Sequence, residues 1–412
     1  MKNTPKIRFK DYTDEWETRK LGEISEKVTE KNSDYEYTET LTNSAEFGIV
    51  SQRDFFKKDI SNPEKTDGYY IVREGDFVYN PRISTFAPVG PINRNKLGKT
   101  GIMSPLYTVF RTSNINRQYL EYYFKSTKWH NFMYINGDTG ARADRFAIKN
   151  SVFMELPIPY PKNEEQQRIG GFLNNLDNLV SFYQQECEQL QTFKKRMLKK
   201  MFPQEGCSKP EFRFDGFTDD WEQRKLGDIS DVTKLAGFEF TEYVIYSDEG
   251  TIIALRGLNV KNGKIILDDV KYIDQSDFSK LNRSKLFKDD ILFTYVGSVG
   301  ELAIIPEDNK YYLAPNVARI RLKKEINSQF VIQMIGNKTY YDKVIFPLIA
   351  TSSQPALSME NVRKFILKLP SFDEQTKIGE FFQHLDNLIT LHQRKCDKLV
   401  EVKKYMLKNM FI

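Results

Sequence analysis

The sequence predicts an α+β protein built as a tandem duplication. Two mixed α/β domains are separated by two long helices, which form an antiparallel coiled-coil spacer with pseudo-two-fold symmetry. Two pairs of similar segments predict this duplication. IRFKDYTDEWETRKLGEIS (7–25) returns 205 residues later as FRFDGFTDDWEQRKLGDIS (212–230), and EEQQRIGGFLNNLDNLV (164–180) returns 209 residues later as DEQTKIGEFFQHLDNLI (373–389). A repeat of this length indicates two domain-sized copies rather than a solenoid of small units.

The block that closes each copy, 164–202 and 373–411, is predicted to be one long helix, because apolar residues recur in steps of three and four. The predicted packing residues are Ile169, Phe172, Leu176, Leu179, Tyr183, Leu190, Phe193 and Met197, and then Ile378, Phe381, Leu385, Leu388, His392, Leu399, Val402 and Met406. One such helix cannot bury its seam alone, so we expect the two to pair antiparallel. The alternative is that each helix packs on its own domain.

The regions between the matched blocks have diverged and contain strand-like and helix-like stretches. DFVYN (76–80) and ILFTY (291–295) are rich in β-branched and aromatic residues, which favours strands. NRQYLEYYFKSTKWHNFMY (116–134) and NSQFVIQMIGNKTYYDKV (327–344) are typical of helices, and VGSVGE (296–301) is typical of a turn. The predicted boundaries are 1–158 for the first domain, 159–203 for its helix, 204–366 for the second domain and 367–412 for its helix.

The composition limits the classes of function. The net charge of +5 permits a polyanionic partner without requiring one. Three cysteines without a CxxC pair, together with three histidines, argue against a disulfide framework or a zinc site. The first residues have no apolar core and no run of about 18 apolar residues occurs, so neither a signal peptide nor a membrane span is expected, and the predicted location is cytoplasmic.

No catalytic motif stands out. The chain has no GxxxxGK[ST] loop and no GxGxxG after a strand, and YNPRI (79–83) lacks the second proline and the aromatic residue of an adenine methyltransferase motif. Cys187 and Cys396 are equivalent under the 209-residue shift. They are expected to be packing residues, with a redox clasp between them as the alternative, and the sequence does not show whether they meet.

Several blocks of the chain resemble one protein family. WETRKLGEI (16–24) and WEQRKLGDI (221–229), LPIPYPKNEEQQRIGGFLNNLDNLV (156–180) and LKLPSFDEQTKIGEFFQHLDNLI (367–389), and the segments GDFVYNPR (75–82) and DDILFTYVGSVG (289–300) carry the resemblance. They are similar to the specificity subunit of bacterial and archaeal Type I restriction-modification systems, and the similarity covers essentially the whole chain.

The resemblance implies a non-catalytic subunit with one target recognition domain in each half. Each domain would read one part of a bipartite, asymmetric sequence in double-stranded DNA. The helices would fix the gap and dock two methylation subunits, through which two restriction subunits join. S-adenosylmethionine, ATP and Mg²⁺ would be held by those partners, for methylation of adenine or cleavage of DNA, and this chain would hold no cofactor or metal. A helix of 38 residues is about 57 Å long, which corresponds to roughly 17 base pairs.

The candidate DNA-binding residues lie in loops between the matched blocks. Arg can bridge O6 and N7 of guanine, Asn and Gln can bridge N6 and N7 of adenine, and hydroxyl groups suit phosphates. The candidates are Asn80, Arg82, Ser84, Thr85, Thr139, Arg142 and Arg145 in the first half, and Arg256, Asn259, Thr294, Tyr295, Ser298, Thr351, Ser352, Ser353 and Gln354 in the second.

Three other functions remain open at this point. One is a similar subunit that serves a Type II enzyme. Another is a coiled-coil scaffold with two peptide-binding domains and no role on DNA. The third is a nuclease that acts alone. Sequence-selective, salt-dependent DNA binding by an assembled complex would argue against the scaffold. Cutting of a plasmid by the purified chain with Mg²⁺ would identify the nuclease.

Overall fold

A computed structural model describes residues 4–57, 66–139, 144–350 and 354–412. The chain divides into two compact units. Unit 1 comprises Met1–Gln184 and Arg394–Ile412, and unit 2 comprises Gln185–Gln393. Each of the two long helices therefore contributes one segment to each unit.

Unit 1 begins with a short strand and helix, continues through the strands of its middle region and then enters the first long helix. Its elements are β1 (Glu17–Lys20), α1 (Leu21–Ile24), β2 (Ser25–Lys27), β3 (Leu41–Ser44), β4 (Gly48–Ser51), α2 (Gln52–Phe56), β5 (Tyr70–Val72), β6 (Phe77–Tyr79), β7 (Ile92–Arg94), β8 (Gly101–Met103), β9 (Thr108–Thr112), α3 (Arg117–Lys125), α4 (His130–Asn136), α5 (Asn150–Phe153), β10 (Pro157–Tyr160) and α6 (Asn163–Lys200).

Unit 2 repeats this plan with a more elaborate middle. Its elements are β11 (Glu222–Lys225), α7 (Leu226–Ile229), β12 (Ser230–Lys234), α8 (Gly237–Tyr243), β13 (Ile253–Leu255), β14 (Val260–Lys261), β15 (Lys264–Ile265), β16 (Lys271–Tyr272), β17 (Ile291–Thr294), β18 (Leu302–Ile304), β19 (Tyr311–Leu313), β20 (Val317–Leu322), α9 (Ser328–Ile335), α10 (Lys338–Tyr340), α11 (Met359–Arg363), β21 (Ile366–Leu369) and α12 (Phe372–Asn409).

The duplication extends to sheet topology. Unit 1 has an antiparallel sheet in the order β2-β9-β6-β7, and unit 2 has the equivalent sheet β12-β20-β17-β18. In both units the opening strand pairs antiparallel with the strand that precedes the long helix, as β1 with β10 and β11 with β21. Smaller sheets complete each unit: β3-β4 and β5-β8 in unit 1, and β16-β13-β19 and β14-β15 in unit 2.

The repeated opening and closing blocks are similar because they hold each other. Arg8 makes a bidentate ion pair with Glu165 (2.7 and 2.8 Å), and Arg213 makes the same pair with Glu374 (2.6 and 2.7 Å). Both glutamates are fully buried, the tryptophans of the opening blocks are also buried, and Trp16 Nε1 donates to Glu165 (3.1 Å). A buried carboxylate needs such a partner. Each pair therefore fixes the position of its opening block against its closing block and requires both residue types in both copies.

The residue after each of these glutamates connects the long helix to a helix in the middle region of its unit. The Gln166 amide accepts a hydrogen bond from Asn116 N (2.8 Å), and Gln375 accepts one from Asn327 N (3.0 Å). Asn116 and Asn327 are in turn the N-caps of α3 and α9, because their side chains accept from backbone N–H groups of the first turn. The same tie therefore orients α3 and α9 in the two units.

The two long helices pair antiparallel in each unit, as expected. In unit 1, Asp177 forms an ion pair with Lys403, and Lys395 Nζ lies 5.1 Å from the centroid of the Tyr183 ring. In unit 2, Lys194 Nζ lies 2.7 Å from Asp386 Oδ1, and the Cys187 thiol lies 3.7 Å from the Ile389 carbonyl oxygen. Residue numbers therefore increase along α6 while those of the facing residues decrease along α12, as antiparallel pairing requires. Each helix also packs on a domain core, so the alternative expectation holds in part.

The buried seam differs in phase from the predicted one. Leu179, Phe193 and Leu388 were expected in the seam, but they are 44, 43 and 43% exposed. Of these three, Phe193 still contacts the other long helix, because its ring lies edge-on to Phe381 with the centroids 6.3 Å apart. The other predicted positions are buried or half-buried. The observed seam of α6 advances by four and three residues through Ile169, Leu173, Leu176, Val180, Tyr183, Cys187, Leu190, Lys194 and Met197. The equivalent positions of α12 are Ile378, Phe382, Leu385, Ile389, His392, Cys396, Leu399, Lys403 and Met406.

Two further expectations are resolved by the fold. The two helix-like stretches are helical, and each contains more than one helix: α3 ends at Lys125, where the N–H of Ser126 donates to the carbonyl oxygens of Tyr122 and Tyr123, and α9 ends before Gly336. Cys187 and Cys396 are both buried and no disulfide joins them, which agrees with a packing role. No helix within the described residues is both long and apolar enough to cross a bilayer.

Candidate nucleic-acid interface

The two loops that were predicted to bind DNA in the first half lie against each other. The loop after β6 (80–91) contacts the segment 144–147, because Pro81 O accepts from Phe146 N (2.7 Å) and Asp144 O accepts from Ile83 N (3.0 Å). Arg82 and Arg145 form an isolated antiparallel bridge at the same place. The sheet therefore brings together residues about 60 positions apart and presents them as one surface at its edge.

The tip of this surface is a tight turn. Ser84 and Ala87 exchange backbone hydrogen bonds of 3.0 and 3.1 Å, and the Ser84 hydroxyl oxygen also accepts from Ala87 N. The turn exposes Thr85 and leaves the Phe86 ring 77% exposed. An apolar ring at the tip of a rigid turn can contact a thymine methyl group or a base step. Sequence reasoning missed Phe86, although an aromatic residue inside a polar turn was a usable signal.

Arg82 is the most available cation of this surface. Its side chain is 73% exposed, and its nearest carboxylate oxygen, on Asp144, is 3.8 Å away and also exposed. Such a pair contributes little to stability, so the guanidinium can exchange it for a phosphate or a guanine. Arg145 is half-buried, Thr139 is exposed, and Arg142 lies outside the described residues.

Asn80 does not fit the role of a DNA-contacting residue. Its amide donates to Asn43 O (2.8 Å), and its amide oxygen accepts from Arg82 N (3.0 Å). Asn43 is itself buried and donates to Val78 O (2.7 Å), while its own amide oxygen accepts from Asn93 (2.7 Å). This network of asparagine side chains is satisfied internally, so the Asn80 side chain shapes the loop.

Unit 2 builds a similar surface at the same edge of its sheet. The turn after β17 contacts the segment 354–357, because Gly297 N donates to Pro355 O (2.9 Å) and Leu357 N donates to Tyr295 O (2.8 Å). Gly297 and Gly300 have positive φ angles of 78° and 100°, which confirms that VGSVGE is a turn. Ser298 and Gln354 are exposed on this surface, and Thr351, Ser352 and Ser353 lie outside the described residues.

Three candidates of the second half have structural roles instead. Thr294 is 1% exposed, donates to Ser298 O and accepts from Glu301 N (2.9 Å), so it holds the turn. Asn259 is fully buried and donates to Ile266 O (2.9 Å) and Asp269 O (2.7 Å). Arg256 pairs with Asp269 through Nη2 at 2.8 Å. All three side chains already form hydrogen bonds or ion pairs within the protein.

Tyr295 is half-buried, between the exposed candidates and the buried structural residues. Its ring packs against the core of unit 2 and lies 5.1 Å from Lys234 Nζ, and burial raises the pKa of its hydroxyl. The hydroxyl therefore stays protonated and can donate to a phosphate or a base. Lys234 is exposed and adds positive charge beside this surface.

The chemistry of both surfaces is that of binding. They offer guanidinium, hydroxyl, amide and aromatic groups. In the part of the chain that the structure describes, no cluster of three or more His, Cys, Asp or Glu side chains could hold a metal ion. The arrangement can donate hydrogen bonds to bases and phosphates at two separate places, with different side chains at each.

Comparisons with known proteins agree with this geometry. The sequence model of the Type I restriction modification DNA specificity domain matches residues 13–192 and again 218–401. The chain is 26% identical to the Type I restriction enzyme MjaVIII specificity subunit of Methanocaldococcus jannaschii, over 75% of this chain and 73% of that protein. It is 24% identical to the putative MjaX specificity subunit of the same organism, over 98% and 94%.

The fold is also that of a solved specificity subunit. The structure of the Type I restriction-modification S subunit from M. genitalium superposes with a TM-score of 0.62 at 14% identity, and the match covers 99% of both chains. The doubled family match and the shared fold together account for the internal repeat. The chain therefore belongs to the family of Type I restriction-modification specificity subunits and carries two copies of its DNA specificity domain.

Proposed function

We propose that this chain is the subunit that reads DNA for a Type I restriction-modification enzyme, and that each unit reads one part of a bipartite, asymmetric sequence. The observation that carries the proposal is the pair of loop surfaces at the same edge of equivalent sheets. The sheets that carry these surfaces have equivalent strand orders, whereas the exposed residues of the two surfaces differ. Two readers built on equivalent sheets but with different surfaces suit a target whose two halves differ.

The long helices are the proposed docking surface for two methylation subunits. Leu179 and Leu388 occupy equivalent positions and are exposed to the same degree, and Phe182 and Leu391 form a second equivalent pair that is 50 and 47% exposed. Exposed apolar residues on a helix favour contact with a partner. Because exposed apolar residues recur at equivalent positions in both units, the surface suits two copies of one partner, through which two restriction subunits would join.

Catalysis belongs to those partners in this proposal. S-adenosylmethionine would be held by the methylation subunits for transfer of a methyl group to adenine, and ATP and Mg²⁺ would be held by the partners that translocate and cleave DNA. The present chain supplies position and sequence selection. A related arrangement, in which one partner chain of a Type II enzyme both methylates and cleaves, would use the same surfaces.

The deciding experiment is the adenine methylome of cells that express the methylation subunit with and without this chain. We expect a two-part motif with a fixed gap that occurs only when the chain is present. Exchange of residues 26–158 for those of a relative should change one half of the motif only. Methylation that does not depend on the chain would refute the proposal and would favour a scaffold without a role on DNA.

Point variants refine this test. Arg82→Ala and Phe86→Ala should relax the half of the motif read by unit 1, and Ser298→Ala and Gln354→Ala should relax the other half. Each pair serves as the control for the other, because a general loss of folding or assembly would weaken both halves together. Loss of one good base contact is worth about 1–3 kcal/mol of discrimination, which is large enough to read from methylation frequencies.

A further inference from the structure

Asp177 of α6 connects three elements of unit 1. Its carboxylate accepts a hydrogen bond from the Tyr122 hydroxyl of α3 (2.7 Å) and forms an ion pair with Lys403 of α12, while Lys125 Nζ lies 3.7 Å away. The Asp177 and Lys403 side chains are only 30 and 22% exposed. Burial raises the pKa of Asp177, but the hydrogen bonds from Lys403 and Tyr122 outweigh it and hold that pKa below its usual range.

Asp386 of α12 makes the same connection in unit 2. It accepts from Lys194 of α6 at 2.7 and 2.8 Å, and from the Gln333 amide of α9 at 3.1 Å. Asp386 is 38% exposed and Lys194 is 21% exposed. Again one carboxylate joins the recognition domain, its own long helix and the other long helix.

The two sites are equivalent members of the duplication. Asp177 and Asp386 are 209 residues apart, and so are Lys194 and Lys403. The donor from the recognition domain is a tyrosine in one unit and a glutamine in the other, so the hydrogen bond is present in both copies although the residue differs. The same contact built twice from different side chains points to the position of the carboxylate as the common requirement.

The position matters because the rest of the seam does not define one register. A heptad seam can slip by seven residues and still place apolar side chains together. A slip of α12 by seven residues would place Cys396 or Met410 in the position of Lys403, opposite Asp177. The half-buried carboxylate would then lose the ammonium group of Lys403 and keep only the more distant Lys125 at 3.7 Å, and loss of one partner from a partly buried ion pair is costly. Such a slip moves one helix by about 10 Å, the length of roughly three base pairs.

We propose that Asp177 and Asp386 are positioning residues that lock the register of the helix pair to the recognition domains, and that this lock sets which gap length the enzyme accepts between the half-sites. The statement about gap length rests on the function proposed above. The statement about register concerns the chain alone and can be measured without DNA.

The register is measured on the purified full chain by distances between spin labels. Labels are placed on exposed positions of unit 2 at Glu188→Cys and Asn387→Cys, after the exposed native thiol is removed by Cys207→Ser. We expect one narrow distance distribution for the parent, a broad or shifted one for Asp177→Asn with Asp386→Asn, and recovery of the narrow one when both pairs are reversed (Asp177→Lys with Lys403→Asp, and Asp386→Lys with Lys194→Asp).

The matched control is Glu164→Gln with Asp373→Asn. These carboxylates are also equivalent under the 209-residue shift, lie in the first turns of the same helices and are exposed. The control should leave the distances unchanged. A distribution as narrow in the double Asn variant as in the parent would overturn the register lock, whatever the activity of the complex.

The gap is measured with the methylation subunit and duplexes that share both half-sites and differ in the spacing by up to three base pairs. We expect the parent to prefer one spacing, and the double Asn variant to lose that preference by about tenfold while it still reads the same half-sites. An equal loss on every spacing would overturn the role in gap choice. No methylation by the parent on any duplex would instead refute the proposed function, and the distance measurement would still decide the register lock.

Discussion

The most quantitative prediction concerns Glu121, a buried carboxylate at the centre of a charge cluster in unit 1. Its side chain is 5% exposed and lies 2.7 Å from Arg94 Nη2, 2.8 Å from Lys96 Nζ and 3.0 Å from Lys125 Nζ. Burial raises the pKa of Glu121, but Lys125, Lys96 and Arg94 outweigh it and lower that pKa from 4.5 to about 2. Glu121→Gln keeps the shape of the side chain and removes its charge.

The magnitude follows from the shift in pKa. A difference of about 2.5 pKa units corresponds to about 3 kcal/mol, so Glu121→Gln should lower the free energy of unfolding by about that amount at pH 7. Because the pKa is lower in the folded state, this contribution is complete above pH 4.5 and is lost as the pH falls towards 2. The deficit of the variant relative to the parent should therefore shrink over the same interval.

The assay is urea denaturation followed by tryptophan fluorescence. A chain with two compact units need not unfold in one step, so the measurement is made in a Trp221→Phe background, where Trp16 and Trp129 report on unit 1 alone. The exposed carboxylate Glu74 provides the control, and Glu74→Gln should change stability by about 0.5 kcal/mol or less. A deficit for Glu121→Gln that is the same at pH 7 and pH 2.5 would refute the electrostatic reasoning and assign the loss to packing.

Three further outcomes are expected. Leu173→Ala should lower the free energy of unfolding by about 2–5 kcal/mol, because Leu173 is fully buried in the seam. Leu179→Ala should lower it by less than about 1 kcal/mol and should weaken binding of the methylation subunit. Equal losses of stability for the two variants in a denaturation series would contradict the observed seam. Cys207 should react with a thiol reagent in the native chain, whereas the buried Cys187 and Cys396 should react only on unfolding, as counted by intact mass. The affinity of the assembled complex for DNA should fall steeply with salt, as measured by fluorescence anisotropy; an affinity independent of salt would argue against contacts to phosphates.

The seam of the long helices shows how much of helix packing the spacing of hydrophobic residues can predict. Both the predicted set and the observed set advance by three and four residues, so a heptad count alone cannot choose between Leu179 and Val180, or between Phe193 and Lys194. The aromatic and leucine side chains favoured the wrong choice, because a hydrophobic residue was assumed to be a buried one. Lys194 and Lys403 occupy seam positions because each meets a carboxylate of the other helix, and that partner is visible only in three dimensions.

The loops show a similar limit. Composition and position between matched blocks predicted two loop pairs, and the structure brings each pair together. Composition could not separate Arg82, which is exposed, from Arg256, which pairs with Asp269, because both are arginines in polar loops. It also gave no weight to Phe86, because only polar side chains were chosen as candidates and the exposure of this ring is decided by the turn that carries it.

The sequence by itself determined the duplication, the long helices, their antiparallel pairing and the family, because repeated blocks and heptad spacing are properties of residue order. Only the tertiary structure decided which chain segments form each unit. Phe411 packs on Tyr119 and Tyr123 in the core of unit 1, with ring centroids 5.5 and 5.8 Å apart, and Phe202 packs on Phe330 in unit 2 at 5.4 Å. A helix of 38 residues ends about 57 Å from its start, so its last residues cannot reach the core beside its first turn. Each long helix therefore ends in the unit in which the other long helix begins, and the last residues of the chain complete unit 1.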